Sequence, residues 1–205
     1  MKNPRLAVLI SGRGSNLQAI IDAIASGDLD ATIAVVVSNI AGVDGLARAT
    51  RAGIETLVMP HVEAPTRAAY DGALADALHA RQIDLVCLAG FMRLLGPAMI
   101  DAFPNAILNI HPSLLPAFPG LDAQRQAFDH GVKVTGVTVH LVNAQLDAGA
   151  IVLQTPVAVR DDDSVESLAA RILEQEHRLY PAAIRRVLQG GWTIMGRRLI
   201  VKGEL

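Results

Sequence analysis

Asn109-Ile110-His111-Pro112-Ser113-Leu114-Leu115-Pro116 places a carboxamide and an imidazole two residues apart. The apolar run 106–108 ahead of them reads as the end of a strand, so Asn109 and His111 point to the same side. In α/β proteins that end of a strand opens on the ligand crevice. An Asn N–H can bond a developing oxyanion, and a His can move a proton near neutral pH. Together they are equipment for acyl or formyl transfer. Pro112 and Pro116 stiffen the chain that follows. Asp147 lies in Leu146-Asp147-Ala148-Gly149, a turn sequence. It is either ordinary turn chemistry or a partner that raises the pKa of His111 and holds it as a cation.

Three further stretches carry candidates. Ser11-Gly12-Arg13-Gly14-Ser15-Asn16 joins a strand to a helix. Its glycines and the helix N-terminus suit a phosphate, but a plain turn with Ser15 or Asn16 as helix cap is equally open. It is neither G-x-G-x-x-G nor a Walker loop. Ala89-Gly90-Phe91-Met92-Arg93-Leu94-Leu95 follows another strand end and either lines a flat ligand's pocket or is core. Glu176 borders an apolar helical stripe, where it is a boundary residue or a hydroxyl partner, and Arg67 starts a helix as solvated surface. Of the other histidines, His130 reads as a cap and His140 as at most a neighbour of the reacting groups. His61, His79 and His177 read as surface. No H-x-x-x-H or C-x-x-C spacing occurs, so no metal is expected.

These residues need a scaffold. The chain has 205 residues, about half of them apolar, and a net charge of −2. That suits one domain and argues against a basic nucleic-acid surface. Apolar runs stay short of the roughly 18 residues of a membrane span, and Leu6–Ile10 is shorter than a signal-peptide core, so a cytoplasmic protein is expected. Cys87 stands alone within an apolar strand as a buried thiol. Strands are expected at 6–10, 32–38, 54–59 and 84–89, and helices at 15–26, 44–52, 66–81 and 97–102. This alternation implies an α/β fold, a Rossmann-like, mostly parallel sheet flanked by helices. After residue 130 the runs 134–142 and 151–159 read as a hairpin or sheet extension. A long amphipathic helix over 165–188 and a short strand pair in the tail complete the chain. The whole is read as a single domain over 1–205, with halves at 1–105 and 106–205.

The ordered set of these stretches, with Gly136-x-Thr138-Val139-His140, resembles the phosphoribosylglycinamide formyltransferase family, folate-dependent enzymes of purine synthesis. The resemblance covers residues 5 to about 190. It implies a formyltransferase fold, with a nucleotide-binding first half and a folate-binding, catalytic second half. It also implies transfer of formyl from 10-formyltetrahydrofolate to the glycinamide amine, without a metal or a covalent enzyme intermediate. The family's catalytic positions fall on Asn109, His111 and Asp147. Its ribonucleotide contacts fall on Gly14, Ser15, Asn16 and Glu176. Its folate contacts fall on Arg67, Met92, Arg93, Leu94, Leu95, Asn109, Asn143, Ala144, Gln145 and Leu146. Small-molecule substrates, no nucleic acid, no membrane and a monomer or weak homodimer are implied. Ala117 and Asp122 depart from residues common in relatives.

Rival readings are a formyltetrahydrofolate hydrolase, a methionyl-tRNA formyltransferase and a non-catalytic nucleotide-binding module. The first two expect extra domains, and the third leaves Asn109, His111 and Asp147 idle.

Overall fold

The computed structural model describes residues 3–201, which divide into two compact units on either side of the Leu108–Asn109 bond. In the first unit β1 (Arg5–Ile10), β2 (Thr32–Ser38), β3 (Thr56–Val58) and β4 (Leu85–Leu88) pair in the order β3-β2-β1-β4, all parallel. Leu6 to Ile10 of β1 are fully buried, the pattern of a strand covered on both faces. Each strand except the short β3 is a near-continuous apolar run. Between them lie α1 (Ser15–Ala25), α2 (Asp44–Arg51) and α3 (Arg67–His79), and after β4 comes α4 (Pro97–Ala102). Helices start where a cap or a proline permits. Thr66 accepts from Ala69 N–H to open α3, and Pro97 sits in the first turn of α4.

β5 (Ile107–His111) carries the chain into the second unit. There β6 (Val134–Leu141) and β7 (Ile151–Ala158) form the expected hairpin, antiparallel from Val134↔Ala158 to His140↔Ile151. The tail pair is β8 (Trp192–Met195) and β9 (Arg198–Val201), antiparallel to each other, with β9 parallel to β7 at Ile151↔Arg198. The order is β5-β6-β7-β9-β8. A helix not assigned from sequence, α5 (Ala123–Asp129), precedes β6. The long α6 (Val165–Leu188) matches its expected bounds, opened by a capping box between Ser164 and Ser167. Its buried stripe includes Leu168, Ile172, Leu179, Ala183 and Val187. The architecture is therefore α/β, a mostly parallel sheet flanked by helices with a C-terminal hairpin and long helix. Among the described residues no helix is long and apolar enough to cross a membrane.

Candidate active site

The first unit holds candidate binding elements at the carboxyl ends of β1, β2 and β4. Ser11 ties these ends together. Its N–H donates to the Gly90 carbonyl at 3.0 Å, its hydroxyl donates to Asn39 Oδ1 at 2.6 Å, and it accepts from Met92 N–H at 2.8 Å. The following loop turns at Gly14, which stands before α1 in a left-handed conformation with φ 69°. A Cβ there would lie 2.7 Å from the Gly45 Cα, so the position admits only glycine without a shift. Neither Ser15 nor Asn16 caps the helix, as the plain-turn reading required; Gly14 is the cap residue and no side chain serves. The α1 N-terminus therefore presents main-chain N–H groups and the positive end of its dipole, an arrangement suited to an anion. Asn16 is buried beside it.

The segment after β4 alternates. Phe91 and Leu95 are buried, whereas Met92 and Leu94 stay exposed. Two anchors on α3 fix it. The Arg93 guanidinium lies 4.5 Å over the Tyr70 ring, and the buried Asp71 carboxylate accepts from Gly96 N–H at 2.7 Å. Arg67, half exposed, comes within 3.9 Å of Asp71. Two apolar side chains are thus held in the open on a pinned backbone, as a flat ligand would require.

The second unit holds the titratable cluster. Asn109 and His111 are at the end of β5, and His140 is on the neighbouring β6. The Asn109 carboxamide nitrogen donates to His140 Nε2 at 3.2 Å, while His140 Nδ1 donates to the Leu141 carbonyl at 2.9 Å. A ring nitrogen facing a carbonyl carries the hydrogen, so this pair of bonds fixes the His140 tautomer and the Asn109 rotamer together. His111 is 5% exposed, and its Nε2 donates to the Phe118 carbonyl at 2.8 Å. Its Nδ1 lies 3.6 Å from Asp147 Oδ2, and His140 Nε2 lies 3.6 Å from Asp147 Oδ1. One carboxylate thus faces two imidazoles.

The supports of this cluster include strained residues. Phe118 and Asp147 have φ of 53° and 49°, rare for side-chain-bearing residues and typical of functional constraint. Ser113 donates to the Ala117 carbonyl at 2.6 Å, and Gly120 N–H donates to Asp147 Oδ2 at 2.8 Å. Ala117 therefore serves through its main chain, and Asp122 takes a left-handed conformation before α5. Thr138 accepts from Leu115 N–H and donates to the Ser113 carbonyl, and Gln154 donates to Leu115 O and Thr138. A Cβ on Gly136 would collide with the Thr155 carbonyl and with Leu114, which explains the glycine in that motif.

Burial depresses the His111 pKa; the Phe118 carbonyl and Asp147 push it up without overcoming that loss of hydration. Asp147 is pushed up by burial but ends below the ordinary carboxylate range. The neighbouring His140 ring, the Gly120 N–H and the nearby His111 together favour its charge. Of the two readings open for Asp147, a partner that raises the His111 pKa is the one its position fits, although desolvation outweighs that effect.

Other placements follow. Glu176 is 7% exposed on α6, more buried than a boundary residue. Asn143 accepts from Gln145 N–H at 3.0 Å in an exposed turn that includes Ala144 and Leu146. His130 caps α5, as expected, with Nδ1 donating to the Gln126 carbonyl. His61 and His177 are half-buried rather than surface residues, and His61 meets the Asn39 carboxamide at 3.2 Å. His140 is a neighbour of the candidate reacting groups, the most the sequence allowed it, through a contact with Asn109 that spans 31 residues of chain. Its place inside a β-rich run is the signal that could have found it. Among the described residues no group of three or more His, Cys, Asp or Glu is placed to hold a metal.

Known proteins resemble this chain over most of its length. A family model described as formyl transferase matches residues 4–184. The chain is 45% identical to the phosphoribosylglycinamide formyltransferase of Haemophilus influenzae, over 91% of this chain and 88% of that one. It is 48% identical to the human trifunctional purine biosynthetic protein adenosine-3 over 92% of this chain, but spans only 19% of that protein. Among solved structures, glycinamide ribonucleotide transformylase 1 from Symbiobacterium toebii superposes with a TM-score of 0.95 at 56% identity, covering 97% of this chain and 93% of that one. The chain belongs to the formyl transferase family.

Proposed function

We propose that this chain transfers the formyl group of 10-formyltetrahydrofolate to the amine of 5'-phosphoribosylglycinamide, giving formylglycinamide ribonucleotide and tetrahydrofolate. The observation that carries the reading is the Asp147 carboxylate lying 3.6 Å from both His111 and His140, with Asn109 bonded to His140. Proton-handling groups and an oxyanion donor meet there in one buried cluster.

In the reaction the neutral amine forms a bond to the formyl carbon, and the carbonyl oxygen gathers negative charge. The Asn109 carboxamide has a second N–H with which to stabilise that charge. The attacking nitrogen then loses a proton. His111, neutral at rest because of its burial, accepts it, and Asp147 stabilises the imidazolium formed. Collapse of the intermediate breaks the bond to the folate N10, which takes up the proton. Gly14, Ser15 and Asn16 receive the ribonucleotide phosphate, and Glu176 the ribose. Arg67, the 92–95 segment, Asn109 and the 143–146 turn receive the folate. The partners are these small molecules, with no nucleic acid and no membrane, and the protein works as a monomer or weak homodimer. A cytoplasmic setting is part of this reading.

The test is a spectrophotometric transfer assay with a 10-formyl folate, with and without the ribonucleotide. Folate product forming only with ribonucleotide is the expected result. Product forming equally without it would replace the transferase with the hydrolase reading.

A further inference from the structure

The turn bearing Asp147 is braced from a part of the chain beyond the family match. That match ends at residue 184, yet Arg197, in the turn between β8 and β9, donates through Nη2 to the Asp147 main-chain carbonyl at 2.8 Å. The Arg197 carbonyl in turn accepts from Ile151 N–H at 2.9 Å, so one residue is bonded to both ends of the 147–151 stretch. The hairpin tip is otherwise turned outward: Met195 is 61% exposed, and Gly196 and Arg198 are exposed, while Arg197 is half-buried.

Asp147 needs such a brace. Its φ of 49° is unfavourable for a residue with a side chain and persists only where the surroundings hold it. On its side-chain end, Gly120 N–H fixes Oδ2; on its main-chain end, a charged donor fixes the carbonyl. Gly149 lets this turn lie against the Leu141 carbonyl at the end of β6, where a Cβ would clash. The carboxylate must face His111 and His140 at once, so a small rotation of the turn separates it from both.

We propose that Arg197 is a positioning residue for the formyl-transfer site, holding the Asp147 turn so that its carboxylate faces the two imidazoles. This rests on the proposed role of Asp147. A displacement of about 1 Å at reacting groups can lower rates by up to about 10²-fold. For Arg197→Ala we expect a fall in kcat of about tenfold, with the ribonucleotide KM unchanged. The acid limb of the kcat/KM profile should move down, because His111 loses the Asp147 carboxylate that raises its pKa. Arg197→Lys keeps a cationic donor and should recover part of the loss.

The deciding experiment is a double-mutant cycle of Arg197→Ala with Asp147→Asn, with melting temperatures measured beside the kinetics. If Arg197 acts through Asp147, the double variant is no slower than Asp147→Asn alone. Additive losses, or an Arg197→Ala enzyme that melts earlier but keeps the wild-type kcat and pH profile, would reduce Arg197 to a structural role and overturn the proposal. An Asp147→Asn enzyme with full kcat would overturn the site reading itself, and this inference with it. Should Arg197→Ala not fold, the same cycle run with Arg197→Lys decides the question.

Discussion

The two units build their functional groups in different ways. In Met1–Leu108 the candidate binding elements are main-chain N–H groups and pinned loops at the ends of parallel strands, each close in sequence to the strand that carries it. In Asn109–Leu205 the cluster converges from segments far apart: Asn109 and His111 on β5, Phe118 and Gly120 in a strained loop, His140 on β6, Asp147 in a turn and Arg197 in the tail. Binding can be met by a local β-loop-α unit and a helix dipole. Moving a proton requires titratable side chains whose hydration and neighbours are set from several sides. The first region depends chiefly on its backbone shape, and the second on individual side-chain atoms.

This contrast predicts unequal mutational effects. The largest belong to the second unit: His111→Ala or Asp147→Asn should lower kcat by about 10²–10⁴-fold, with ribonucleotide affinity retained in an equilibrium titration. A loss of affinity equal to the loss of kcat would erase the distinction.

In the first unit Gly14→Ala should raise the ribonucleotide KM about tenfold and leave kcat within about twofold, because φ 69° and the 2.7 Å approach to Gly45 force the loop to move. Steady-state kinetics with the ribonucleotide varied check this. Tyr70→Leu should raise the folate KM by only about threefold, the scale of a lost cation–π contact, and Tyr70→Phe should restore it.

The pH dependence sharpens the same point. The folded-state pKa of His111 lies below its unfolded value of about 6.5, so its contribution to stability is full above that pH and is lost as pH falls through the lowered value. Asp147, also lowered, likewise loses its contribution in acid, below the His111 range. The acid limb of kcat/KM should therefore have its midpoint below about 6.5. A midpoint above that would mean that Asp147, not burial, dominates the imidazole.

The first unit was also the more legible in sequence. Leu6–Ile10, 32–38 and 84–89 are apolar runs whose burial follows from composition, and their alternation with helices dictates a parallel sheet. Asn109 and His111 could be paired because two-residue spacing on a strand is enough to align them. The long-range partners were less accessible. Asp147 has the spelling of an ordinary turn, and its left-handed φ shows only in three dimensions. His140 meets Asn109 through strand pairing, which no local window contains. The balance at His111 stayed open in the sequence because it depends on how much water the fold removes, a quantity that sequence spacing does not carry. Arg197 sits in a tail read simply as a strand pair.

The most direct test of the central claim is the behaviour of Asn109→Ala: kcat for formyl transfer measured beside the equilibrium dissociation constant of the ribonucleotide. The account predicts a kcat lower by about 10²–10³-fold with the dissociation constant unchanged. Undiminished turnover, or a ribonucleotide affinity that falls in step with kcat, would contradict it.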